Sequence, residues 1–166
     1  MTRTLRAGEL ALEPQVAAHA PELFPLLSDE SLYTFTDDKT PVSLDWLRSR
    51  FARLESRRSP DGSQHWLNWV IRDSEGQAVG YVQATGAGDG ANIAYVIGRP
   101  YWRRGYAFAA CVAMIAELAA VYGVRRVTAT VDRRNTASLA LLKKLGLGLV
   151  NEDAAANEMT FARDLP

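Results

Sequence analysis

The stretch Tyr101-Trp102-Arg103-Arg104-Gly105-Tyr106-Ala107 sets two guanidinium groups and a glycine directly before a long apolar run. A helix starting there has first-turn amides with no partner inside the helix, and roughly half a positive charge gathers at its N-terminus. Gly105 lets a ligand come close to the backbone, and small Ala107 keeps the approach clear. Arg103 and Arg104 add fork-shaped donors that match phosphate oxygens. The natural occupant of such a corner is a diphosphate. The same residues also suit a tight strand-to-helix turn whose arginines simply reach into water.

A second polar cluster is Asn135-Thr136-Ala137-Ser138. Asn135 is placed to cap the helix that follows, and Ser138 falls in its first turn. Gly86-Ala87-Gly88-Asp89-Gly90-Ala91 fits the dinucleotide pattern G-x-G-x-x-(G/A), but that fingerprint must open a helix, and Asn92 to Ile97 is β-branched and aromatic. It reads as a hairpin turn. Cys111 lies within the apolar face of its helix and reads as a structural thiol. His19 and His65 have no partner at metal or triad spacing and receive no role.

The elements that must hold these groups follow from periodicity. The spacing predicts a strand over 4–12, amphipathic helices over 16–27 and 43–55 with Ser43 as N-cap, and a β-hairpin of 65–72 and 78–85. A third strand, 91–97, continues the antiparallel meander. A helix over 105–122 carries apolar residues at 108, 111, 112, 115, 118 and 122 and stops at Gly123. Then come a strand over 124–131, a helix over 135–145 ending at Gly146, and a closing hairpin of 147–151 and 158–163. Strand, helix, strand in the second half implies a right-handed crossover and one parallel pair, so the sheet is mixed.

Composition bounds what such a chain can bind. The 166 residues are 48% hydrophobic and 23% charged, which fits one globular domain over 1–166. Lysine plus arginine equals aspartate plus glutamate at 19 each, so no overall field draws the protein to nucleic acid or membrane, and any anion site is local. One cysteine excludes an internal disulfide, and no metal-ligand spacing is present. The opening MTRTLRAGELALEPQ has no apolar core of a signal peptide, so a reducing cytoplasm is expected.

The loop at 102–107 resembles motif A of the GCN5-related N-acetyltransferase (GNAT) superfamily, (Gln/Arg)-x-x-Gly-x-(Gly/Ala), with Trp102 at the first position, Gly105 at the fourth and Ala107 at the sixth. Tyr-Trp-x-x-Gly-Tyr-Ala is similar to the branch that acetylates N-termini of ribosomal proteins (RimJ/RimL type). Asn135, Ser138, Leu142, Lys144 and Gly146-Leu147 resemble the superfamily's next motif, and Leu26-Leu27-Ser28-Asp29 resembles the branch's first helix.

The resemblance implies an α+β fold: a mixed, mostly antiparallel sheet of six to seven strands, flanked by about four helices, with a cleft between two parallel central strands. It implies acetyl-CoA as cosubstrate, no metal, and direct transfer to an amine in a ternary complex. The acceptor is a peptide N-terminus or a small-molecule amine, and the protein a monomer or homodimer. The coenzyme is expected to lie against Tyr95, Val96, Ile97, Trp102, Arg103, Arg104, Gly105, Tyr106, Ala107, Phe108, Asn135 and Ser138, with Ser138 a candidate proton donor to the departing thiolate. The chain departs from the superfamily at Asn92, where many members carry a glutamate base, and at Ala109, where the branch usually carries glutamate. Water, Glu30, Asp37, Asp38 or Glu152 is left to take the proton. The missing base also admits a second reading, a coenzyme-A-binding sensor of the same fold.

Overall fold

Valine, isoleucine and aromatic residues crowd the runs on either side of Asp73–Gln77, and both runs are strands. The turn between them is fixed by Asp73, whose Oδ1 accepts from the amides of Glu75 and Gln77. The computed structural model describes residues 2–166. Its strands are β1 (Leu5–Ala7), β2 (Leu10–Pro14), β3 (His65–Arg72), β4 (Ala78–Ala87), β5 (Gly90–Ile97), β6 (Arg126–Asp132), β7 (Gly148–Asp153) and β8 (Glu158–Asp164). Its helices are α1 (Ala20–Leu27), α2 (Leu44–Leu54), α3 (Tyr106–Tyr122) and α4 (Thr136–Lys144). The strands make one eight-stranded sheet in the order β1-β2-β3-β4-β5-β6-β8-β7, antiparallel except for β5 and β6.

Each face of the sheet buries its own core. Under α3 lie Leu12, Trp69, Val82 and Ile93 with Met114 and Leu118 of the helix, all fully buried. On the opposite face, Val70 packs with Ala20 and Leu23 of α1 and Leu47 and Phe51 of α2. Helix α3 buries a broad face against the sheet and leaves Val112, Ala116, Ala120 and Val121 exposed on the other side. Its one buried charge, Glu117, is gripped by Arg3, whose Nη2 donates at 2.8 Å. Gly123 ends the helix in the left-handed conformation, as the sequence predicts. Ser43 caps α2, its Oγ accepting from the amide of Trp46 at 3.0 Å. Among the described residues no helix is long and apolar enough to cross a membrane.

Two features differ from the sequence reading. The predicted strand over 4–12 is a hairpin, β1 and β2, folded around Gly8 at φ +60°, which raises the strand count to eight. The closing hairpin of β7 and β8 is present as predicted, and within it β8 takes the inner place, between β6 and β7. The reason is burial: Phe161 and Ala162 of β8 are buried, whereas every residue of β7 is exposed, so the apolar strand takes the interior place and the polar one the edge. The predicted helix over 16–27 begins with a 3-10 turn, Ala17–His19.

Candidate active site

The parallel pair holds for only three rungs, Gly90↔Arg126, Ala91↔Val127 and Asn92↔Thr128. On its other side β5 stays paired with β4 as far as Ile97. From Ile93 onward, therefore, β5 and β6 part and leave a wedge between the two central strands. Side chains tie the last rung, Asn92 Nδ2 donating to Thr128 Oγ1 at 3.2 Å. Gly98 N donates to Val79 O at 2.9 Å, so by the alternation of an antiparallel ladder Val96 and Ala94 turn their main-chain groups to β4. Tyr95 and Ile97 turn theirs into the wedge. Trp102 reaches back over this opening, its Nε1 donating to Ile97 O at 2.7 Å.

The loop from β5 to α3 delivers the start of the helix to the same opening. Arg103 at φ +62° and Gly105 at φ +77° are both left-handed, an alternation that points successive amides toward one spot. The first helical bond is Ala109 N to Gly105 O at 3.1 Å, and no side chain caps the helix. Among the described residues the amides of Tyr106, Ala107 and Phe108 make no hydrogen bond, and no acidic residue stands in the first turn. A Cβ built on Gly105 would meet nothing within 4 Å, so the space before it is open. The demand for glycine comes from φ rather than crowding. Arg104 lies over the Tyr101 ring at 5.5 Å, and Lys144 Nζ lies 4.1 Å from the centre of the half-buried Phe108 ring.

Across the wedge stands the start of α4. Asn135 caps it as expected, its Oδ1 accepting from Ser138 N at 3.1 Å. The Tyr95 hydroxyl donates to Ser138 Oγ at 2.7 Å, a link from β5 to α4. Burial pushes the Tyr95 phenol up to about 12, with the bond to Ser138 pulling the other way. With one lone pair taken by Tyr95, the Ser138 hydroxyl hydrogen remains free to point elsewhere. The sequence reading used Tyr95 only for its backbone and missed this side chain. The signal was alternation: Tyr95 shares a face with Ile93 and Ile97, and a phenol aimed at a core needs a partner. Cys111 is fully buried and its thiol is pushed up to about 12 by burial, which makes it inert.

Of the four carboxylates considered from sequence, Asp37 and Asp38 line a cavity of about 260 Å³ on the α1/α2 face, with Tyr33, Trp46, Arg50 and Tyr81 among its other walls. Glu30 sits in the 3-10 turn Glu30–Tyr33, outside that lining. Glu152 is on the edge strand β7, where Arg133 Nη2 stands 3.9 Å away. At the β6–α4 corner Asp132 binds Arg134 through both oxygens and is held down to about 2 by that guanidinium. Arg134 in turn covers the Phe35 ring at 5.8 Å, joining the α1–α2 segment to the far wall of the wedge. The histidines are structural. His19 accepts from Val16 N through Nδ1, and His65 packs edge-on to Tyr122. No group of metal-ligating side chains is present among the described residues.

A family model described as "Acetyltransferase (GNAT) domain" matches residues 9–148. The chain belongs to the GNAT acetyltransferase family. It is thus an acyltransferase, and its fold is shared over nearly its whole length by solved structures of low sequence identity. RimL, a ribosomal L7/L12 alpha-N-protein acetyltransferase in complex with coenzyme A, superposes with TM-score 0.84 at 17% identity over 98% of both chains. A GNAT acetyltransferase from Bacillus anthracis gives TM-score 0.79 at 17% identity over 97% of this chain and 98% of that one. The ribosomal-protein-S5-alanine acetyltransferase of Vibrio fischeri gives 0.80 at 13% identity over 97% and 96%. No curated protein sequence is matched.

The wedge and its corner fit acetyl-CoA on chemical grounds. Three unpartnered amides and two arginines suit a diphosphate, and an unpaired stretch of two strands suits a thin amide-bearing arm.

Proposed function

We propose that this GNAT enzyme transfers the acetyl group of acetyl-CoA to a primary amine within a ternary complex, with a peptide α-amine or a small amine as acceptor. The observation that carries the reading is the parting of β5 from β6 after Asn92, beside the uncapped start of α3. Tyr106, Ala107 and Phe108 hold the diphosphate through their amides, and Arg103 and Arg104 add charge. Asn135 uses its oxygen for the cap and keeps its nitrogen to donate to the coenzyme. Tyr95 and Ile97 present main-chain groups to the arm, and an N–H among them polarises the thioester carbonyl. Trp102, which occupies Ile97 O in this structure, guards the same opening. The part sequence assigned to Val96 shrinks accordingly, because its main chain is committed to β4.

The acceptor approaches from the α1/α2 face, where the cavity with Asp37 and Asp38 lies. Its lone pair attacks the carbonyl carbon, the C–N bond forms and the C–S bond breaks. The ammonium proton leaves through Asp37, Asp38 or water. Ser138, held by the Tyr95 hydroxyl that donates to its oxygen, gives its proton to the departing sulfur and regains one from water. Acceptors with α-amines, whose reference pKa is about 7.7 to 8, reach the neutral form more easily than a lysine amine near 10.4. The kinship in fold with ribosomal-protein acetyltransferases supports an α-amine acceptor. The test is thiol release from acetyl-CoA with a panel of α-amines and alkylamines. Tight coenzyme binding with no release for any acceptor would favour the sensor instead, a reading that Asn92, engaged with Thr128 and unable to take a proton, keeps in play.

A further inference from the structure

On the sheet face opposite α3, three carboxamides stand in one row across three strands. Gln15, just past β2, lies against Asn68 of β3, its main-chain N–H donating to Asn68 O at 2.9 Å. Asn68 is directly opposite Gln83 of β4, and Gln83 is opposite Ala94 of β5, the strand that borders the wedge. Opposed residues in a ladder share a face, and strands lie about 4.8 Å apart, so the row spans about 10 Å and points at the reaction centre.

Gln15 is 2% and Asn68 4% exposed. Buried carboxamides normally find partners, yet these do not. The hydrogen bonds reaching Gln15 and Asn68 involve their main-chain groups, and among the described residues none involves the side-chain amide of Gln15, Asn68 or Gln83. Nor are the amides sealed off, since among the described residues the one fully enclosed, unpartnered side-chain polar atom is Ser31 Oγ. All three residues line the 260 Å³ cavity. Open to the cavity and without protein partners, the three carboxamides are free to pair with complementary groups of a bound molecule.

We infer that the row Gln83–Asn68–Gln15 selects the acceptor, taking amines that carry amide groups next to the amine: aminoacyl amides and peptide N-termini. A carboxamide both donates and accepts, as a peptide group does, and a strand rises about 3.3 Å per residue, so the row matches two to three consecutive peptide units. Ala94 keeps the wedge end of the row low, where the amine would sit. Asp37 and Asp38 at the rim attract the ammonium before it loses its proton. A simple alkylamine satisfies none of the three side chains.

The inference rests on the acetyltransfer reading, and one set of experiments separates the two. With acetyl-CoA saturating, kcat/KM is measured for L-alanine methyl ester, L-alaninamide and L-alanyl-L-alaninamide, whose amines titrate close together. We expect each amide to exceed the ester at least tenfold, with the dipeptide amide best. Asn68→Leu and Gln83→Met should bring the amide-to-ester ratio toward one by raising KM for the amides, with KM for acetyl-CoA unaltered. Tm should hold or rise in Asn68→Leu, because an amide with no protein partner is being replaced by an apolar isostere. Equal kcat/KM for ester and amides, a ratio unchanged in both variants, or a clear fall in Tm of both would overturn the row while leaving acetyltransfer standing. Coenzyme binding without turnover of any of the three would overturn acetyltransfer, and this inference with it.

Discussion

The Tyr95 hydroxyl donates to Ser138 Oγ at 2.7 Å, linking the near wall of the wedge to the helix that begins its far wall. In the proposed transfer Ser138 touches the leaving sulfur and Tyr95 acts through it. Removing Ser138 should therefore cost more. Ser138→Ala is expected to lower kcat by about 10²-fold, the low end for lost general acid catalysis, and Tyr95→Phe by less. KM for acetyl-CoA should change little in either. Steady-state kinetics check this, and a Tyr95→Phe loss larger than the Ser138→Ala loss would reverse the assigned roles.

Alkaline pH should leave the enzyme working. Because burial raises the Tyr95 phenol from its ordinary value near 10 to about 12, the hydroxyl stays protonated through the range in which acceptor amines lose theirs. The pH profile of kcat/KM should rise with the acceptor's own titration and show no falling limb below about pH 10. Stability follows the same sign. A group whose pKa is higher in the folded protein contributes fully below its unfolded value and loses that contribution between about 10 and 12, so denaturant midpoints should decline there.

At the diphosphate corner, Gly105 is required for its backbone and not for want of room. Gly105→Ala forces a side chain into the left-handed region at about 1–2 kcal/mol. Calorimetry should show coenzyme A affinity reduced about tenfold with the fold kept. Gly105→Glu should abolish binding, since its carboxylate would sit among the amides meant for the ligand.

Gly80 is the opposite case. A Cβ there would stand 2.1 Å from Val96 O, a backbone atom of the adjoining strand, so β5 itself must shift. Gly80→Ala should lower stability by about 1–3 kcal/mol, the usual range for overpacking, and unfolding in urea measures it. At Gly98 the three nearest atoms all belong to the Leu26 side chain, which gives way more readily than backbone, so Gly98→Ala should be the milder change.

Buried Glu117 and exposed Arg3 make a fourth contrast. Arg3→Ala should lower Tm when Glu117 is present and much less in a Glu117→Gln background, because the harm lies in a buried carboxylate left alone. A double-mutant cycle on thermal unfolding reads the coupling.

Much of this was legible in the sequence where the signal is local. The apolar spacing of α3, its Gly123 stop, the Asn135 cap and the Ser43 cap each depend on residues within a turn or two of one another, and each is found in place. The Gly8 hairpin was missed although Ala7-Gly8-Glu9 carries the turn, because the flanking strands are too short to show alternation. The insertion of β8 depends on which of two distant runs is the more apolar, a comparison that periodicity does not make. The carboxamide row is the least legible of all, since Gln15, Asn68 and Gln83 become neighbours only through the registers of three strands.

One consequence of strand order concerns synthesis. β6 shares three rungs with β5 but seven with β8, so its main support is encoded more than twenty-five residues downstream. A nascent chain leaving the ribosome N-terminus first presents β6 with an almost bare flank until the final strand emerges. The meander and α3 can assemble early, whereas the opposing jaw waits for β8.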